Sequence, residues 1–197
     1  NLGTPNSTDP NDVGKYLTEF LTDKHVIDLP YLIRHFLVRA LIVPSRKIES
    51  AKKYKKVWLK EGSPLLVHTQ NLTSKLDSAL KQYDVFFAMR YGEPSIPNML
   101  EKIKDYDAIE VLPLNPHETK SSITTASEAA LKAAKDLGIH SKISIIKPFF
   151  KKDFYIQSLV EKIRSEINIE EKDFILFSYH GIPVHHLPLE CVKCNLE

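Results

Sequence analysis

The apolar run Phe174-Ile-Leu-Phe177 leads into Ser178-Tyr-His-Gly-Ile-Pro183, so a stretch with the composition of a strand stops at an imidazole, His180, and is cut off by Gly181 and Pro183. Four successive apolar residues behind a polar Asp173 are the pattern of a strand buried on both faces of a parallel sheet. His180 would then stand at the carboxyl edge, outside which open α/β sheets bind their ligands. A neutral imidazole there can accept a proton or ligate a metal ion near neutral pH. The spacing is equally compatible with a loop histidine satisfied by water.

The same edge gathers Gly3-Thr4, Arg90-Tyr91, Asn115-Pro-His117 and Pro148-Phe-Phe150, provided that strands and helices alternate between them. These residues supply aromatic walls, one guanidinium and a second imidazole. Neither the dinucleotide fingerprint nor the P-loop motif occurs, so the usual backbone cradles for phosphate are not written here. A flat aromatic ligand carrying carboxylates suits an apolar lining with Arg90 or Arg46 better than a nucleotide does.

The elements that must position these groups follow from periodicity. Asp9 or Asn11 caps a helix to about Thr22 whose apolar face is Val13, Tyr16, Leu17, Phe20 and Leu21. Residues 29–43 form an apolar segment, interrupted by Arg34 and Arg39, that is expected to break at Pro44. Its greasy circumference points to burial, or to contact with lipid, a partner or an apolar ligand. Helices are expected over 45–60, from near Thr69 to Gln82, over 96–105, 121–137 and 153–167, with strands at 85–91, 108–114, 142–147 and 174–180. Right-handed crossovers then generate an α/β fold with a doubly wound parallel sheet, four strands between residues 84 and 180, and a helical lip near the amino terminus. Ala126, Ala129, Ala130, Ala133 and Ala134 allow one helix to pack closely.

A chain of 197 residues suits one α/β domain, and 43% hydrophobic with 26% charged residues excludes a disordered or fibrous class. The net charge of +2 gives no reason to expect nucleic acid. Arg46, Lys47, Lys52, Lys53, Lys55 and Lys56 form a local basic patch, for which a solvated helix face is the plainer explanation. No apolar run reaches the roughly 18–20 residues of a membrane span, and no signal peptide opens the chain, so a cytoplasmic protein is expected, with peripheral membrane contact left open. Cys191 and Cys194 make a lone C-x-x-C, half of a four-ligand site.

Six collinear strings carry a family resemblance. They are Asn1-Leu-Gly-Thr-Pro5; Tyr16-Leu-x-Glu-Phe-Leu-x-Asp-x-x-Val-Ile-Asp-Leu-Pro30; Pro44-x-Arg46 with Tyr54, Trp58 and Glu61-Gly-Ser-Pro-Leu65; Ala88-Met-Arg-Tyr91; Leu112-Pro-Leu-x-Pro116 with Thr124-Thr125; and Ser178-Tyr-His-Gly-Ile-Pro183. Over nearly the whole chain the sequence resembles the amino-terminal portion of the ferrochelatases, which insert ferrous iron into protoporphyrin or coproporphyrin in haem biosynthesis. The resemblance implies that His180 is the catalytic histidine, facing the pyrrole nitrogens or the iron. It places Arg90 and Tyr91 in the same pocket, sets Arg46 against a porphyrin propionate, and puts Leu2 where a loop approaches the macrocycle from its other face. It makes the 29–43 segment the pocket lip, which in this family also faces the membrane. Where relatives usually read Pro-Gln-Tyr-Ser, this chain has Pro116-His117-Glu118-Thr119, a departure that leaves the local contacts open.

Members of the family have a second half that bears an acidic partner opposite the histidine. The expectation is therefore an amino-terminal half-domain over 1–183 and, over 184–197, the start of a linker to that half, with little activity from this chain by itself. Some members hold a [2Fe–2S] cluster through cysteines, to which Cys191 and Cys194 would give two ligands; two free thiols are the preferred explanation for this chain alone. The rival functions are a non-catalytic porphyrin- or lipid-binding module and a single-domain chelatase completed by dimerisation.

Overall fold

Asp9 is extended and its carboxylate accepts the Asn11 N–H at 2.8 Å, which starts helix α1 (Pro10–Leu21) with Pro10 at a position where no N–H is required. This is the first element of a computed structural model that describes residues 1–167, 174–178 and 180–187. Tyr179, Cys191 and Cys194, singled out from the sequence, lie outside these described residues.

The lip segment does not break at Pro44. Helix α2 (Tyr31–Phe36) runs into a π-helical stretch, Leu37–Ile42, and on into α3 (Val43–Val57), whose second residue is the proline. Proline has no N–H and clashes with the carbonyl four residues back; a locally widened turn relieves that clash and lets the chain stay helical. Helix α1 packs on α3 across Gly14, where an added methyl would stand 3.6 Å from Val43 and 3.5 Å from the Lys47 stem. Helix α4 (Pro64–Ala79) has Ser63 at its N-cap, six residues earlier than the Thr69 cap expected from sequence.

Two strands, β1 (Ile109–Val111) and β2 (Ile143–Ile145), pair in parallel with Ile109 opposite Ile143. Helix α6 (Thr125–Asp136), entered through a π-helical turn at Lys120–Thr124, crosses between them. Its Ala130, Ala133 and Ala134 are buried against Ile109, Ile139, and Ile96 and Leu100 of α5 (Ile96–Lys102). The alanine stripe thus lets a helix lie close over the sheet, as its spacing implies.

Among the described residues the sheet is smaller than the four strands expected. Residues 85–91 pair only through isolated bridges: the Met89 N–H turns back to the Pro94 carbonyl at 2.7 Å, and Tyr91 meets Gly3 in parallel. The segment 174–178, expected as the buried strand that delivers His180, is exposed, with Phe174 fully so and Leu176 at 92%. An apolar parallel strand is stable only when layers cover both of its faces. The helix that should contribute one layer, α7 (Asp153–Glu166), buries none of its own residues and leaves Phe154, Ile156, Leu159 and Val160 in solvent.

Candidate functional site

The amino-terminal residues lie alongside the 88–91 segment. The Arg90 and Tyr91 N–H groups donate to the Asn1 and Leu2 carbonyls, both at 2.8 Å. Gly3 is required at this approach: its φ of 113° is left-handed, and a Cβ there would stand 1.8 Å from the Tyr91 carbonyl oxygen. Beyond it, the Thr4 hydroxyl donates to Ser63 Oγ at 2.7 Å, tying the first loop to the start of α4. This parallel register sends Gly3-Thr4 and Arg90-Tyr91 out at the same end of their segments, as the sequence implies for a carboxyl edge.

The side chains at that end converge on a carboxylate. Asp23 Oδ2 accepts from the Tyr91 phenol at 3.0 Å, from Thr125 Oγ1 at 2.6 Å and from the Arg90 guanidinium; Asp23 Oδ1 accepts the His25 N–H at 2.7 Å. Arg90 Nε is also held, donating to Thr125 Oγ1 at 2.8 Å, and its carbon sits 4.5 Å from the Tyr91 ring centroid. Burial raises the Asp23 carboxyl, but the bonds from Thr125 and the His25 N–H, the Arg90 charge and the Tyr91 hydroxyl outweigh it and hold the group below its ordinary value. Burial above all raises the Tyr91 phenol, so it stays a protonated donor at neutral pH.

Aromatic rings brace the cluster from behind. Phe20 meets Tyr91 edge-on at 5.3 Å and stacks on Tyr16, which contacts Tyr54, which in turn contacts Trp58. In front, a cavity of about 690 Å³ opens beside Asp23, Arg90 and Thr125 and runs along α5 and α6. At its mouth Glu128 accepts from His25 Nε2 and Lys24 Nζ, each at 2.9 Å, and the His25 bond leads the effects that keep Glu128 ionised.

Of the residues singled out from sequence, Leu2, Arg90 and Tyr91 come together. Leu2 is half-buried, Arg90 lines the cavity, and Tyr91 is buried with its hydroxyl turned inward to Asp23. Arg46, on α3, and His180 are exposed and join neither network. His117 and Phe150, expected at one edge, meet at 4.9 Å between ring centroids. Asp23 and Thr125 stand in the quoted strings, yet nothing in the sequence marks them as the centre of the cluster; a lone aspartate seven residues after Tyr16 shows no sign of burial until the fold closes over it. Among the described residues no group of three or more histidine, cysteine, aspartate or glutamate side chains could hold a metal ion, and no helix is long and apolar enough to cross a membrane.

An α/β fold with parallel strands whose loop ends gather a fixed guanidinium and aromatic rings beside a cavity has the organisation of a ligand-binding α/β protein. The chain belongs to the ferrochelatase family: that family's model, Ferrochelatase, matches residues 1–190. It is 44% identical over 188 residues to the ferrochelatase of Legionella pneumophila strain Philadelphia 1, covering 95% of this chain and 56% of the relative. It is 40% identical over 190 residues to the ferrochelatase of Coxiella burnetii strain CbuG_Q212 (95% and 52%), and 39% identical over 189 residues to that of Pseudomonas fluorescens biotype C (95% and 55%). The chain spans about half the length of the curated relatives it matches.

Proposed function

We propose that this chain builds one wall of the active site of a ferrochelatase, a lyase that inserts Fe²⁺ into protoporphyrin or coproporphyrin in haem biosynthesis. The observation that carries the proposal is the register that sets Leu2 and Gly3 against Arg90 and Tyr91, in a chain whose strings match the family from end to end. Insertion requires two protons to leave pyrrole nitrogens while a hydrated ferrous ion sheds its waters. His180, as a neutral imidazole, accepts one of those protons at a time and passes it to water, or meets the iron. Leu2 presses on the macrocycle from its other face, Arg90 lines the pocket on the fixed cluster, Tyr91 holds Arg90 in place from the pocket wall, and Arg46 meets a propionate.

A planar porphyrin keeps its nitrogen lone pairs in the ring plane, so the pocket must bend the ring. That strain costs about 1–5 kcal/mol and is supplied by binding energy elsewhere on the ligand. The exposed lip, with Leu32 at 79% and Phe36 at 68%, offers apolar contact for that purpose and for peripheral attachment of a cytoplasmic enzyme to a bilayer. One wall cannot exclude water or supply an acidic partner, so this chain alone metallates poorly.

Cys191 and Cys194 would give two of the four thiolates that a [2Fe–2S] cluster takes, two free thiols being the preferred reading for this chain alone, and no step here depends on a cluster. The full-length protein tests the function directly. It should quench a bound porphyrin's fluorescence and convert the porphyrin to its iron complex when Fe²⁺ is added anaerobically. Porphyrin binding without metallation would favour the non-catalytic module instead.

A further inference from the structure

We propose that Asp23 is a positioning residue that cancels the charge of Arg90 and fixes its orientation, so that the cavity presents directed N–H groups to an anionic macrocycle without a net positive charge to repel a dication. This rests on the functional reading above, in which a porphyrin carboxylate and Fe²⁺ approach the same wall. The Asp23 side chain is 4% exposed and that of Arg90 25%, so the pair sits at the boundary between interior and cavity. Arg90 spends Nε on Thr125 and one Nη2 hydrogen on Asp23. The remaining Nη hydrogens belong to a guanidinium that cannot swing, because its hydrogen-bond anchors come from two separate segments, Asp23 in the turn after α1 and Thr125 at the start of α6.

Cancellation matters here because the second substrate is a dication. A bare guanidinium at the cavity wall attracts carboxylates but raises the local potential against Fe²⁺, whereas a buried carboxylate behind it makes the pair neutral at a distance while leaving its donors in place. The Tyr91 and Thr125 hydroxyls and the His25 N–H hold Asp23 ionised without adding charge of their own.

The test uses Asp23→Asn in the full-length protein, alone and combined with Arg90→Gln. An uncancelled positive charge produces effects of opposite sign. The kcat/KM for ferrous iron should fall on the order of ten-fold at low salt, while affinity for a dicarboxylate porphyrin rises several-fold; both effects should shrink with added salt, and in the double variant, where the pair again carries no net charge, the kcat/KM for iron should return toward the wild-type value. A merely structural role would lower both together. A fall in both, a change in neither, or a double variant no better with iron than Asp23→Asn alone overturns the proposal. Should Asp23→Asn fail to fold, the same cycle is run with Thr125→Val, which loosens the anchor at nearly constant volume; a loss in kcat/KM that persists without Arg90 contradicts the inference. A wild-type protein that inserts no iron defeats the functional reading by itself. The porphyrin titration then decides for Asp23: a salt-sensitive gain in affinity supports it, and unchanged affinity removes it.

Discussion

The hydroxyl of Thr125 donates to the carboxylate of Asp23 at 2.6 Å, closing a span of 102 residues between the start of α6 and the turn after α1. The helical amino-terminal region and the α/β core are therefore joined through one buried acid. Removing it leaves the Arg90 guanidinium and two hydroxyls without their acceptor, and breaking one side of a buried pair costs roughly 3–5 kcal/mol. Because Arg90 is a quarter exposed, Asp23→Ala should cost about 2–3 kcal/mol. Urea titration of the full-length protein measures it, and a loss below about 0.5 kcal/mol would mean that the cluster does not hold these regions together.

The same acid sets an acid limit. Its carboxyl is held below its ordinary value in the folded protein, so its contribution is fully present above the unfolded pKa of about 3.9 and is lost as pH falls through the lower folded value. Stability followed by denaturant between pH 7 and 2.5 should drop below about pH 4, and the drop should be shallower in Asp23→Asn. Identical acid slopes would assign the loss to other carboxylates.

Gly3→Ala should be among the most damaging substitutions in the chain. A methyl group at φ 113° would overlap the Tyr91 carbonyl, which cannot move without breaking the pairing that aligns Leu2 with Arg90. A loss exceeding about 3 kcal/mol, or failure to fold, is the expected outcome. A variant with wild-type thermal stability would show that this register is dispensable.

At the lip, Tyr31, Leu32, Ile33 and Phe36 are all more than half exposed on one short helix. A contiguous apolar patch of this kind marks a contact surface. Leu32→Glu should weaken co-sedimentation of the full-length protein with anionic liposomes several-fold and leave its Tm nearly unchanged. Unaltered sedimentation would leave lipid out of the lip's role.

Local chemistry made much of this legible in advance. The Asp9 cap, the apolar face of α1, the alanine stripe of α6 and the meeting of His117 with Phe150 all follow from residue type and spacing. Two features were not legible for physical reasons. Continuation through Pro44 depends on a widened turn, which side-chain periodicity does not encode. The fate of Phe174–Ser178 depends on whether other layers cover it, and hydrophobicity alone reports the need for cover without supplying it. In the candidate site, Arg90 and Tyr91 could be picked out, whereas Asp23 becomes central only once three distant segments close around it.

A role for His180 in metal insertion is tested by His180→Ala in the full-length protein, with iron insertion and porphyrin affinity measured on the same preparation. In the proposed mechanism apolar contacts and a propionate partner supply affinity, while the imidazole acts only on the proton or metal step. With His180 removed, kcat should fall by about 100-fold or more with porphyrin Kd changed less than about three-fold. Insertion at a near wild-type rate would contradict it and transfer the role to the other edge imidazole, His117.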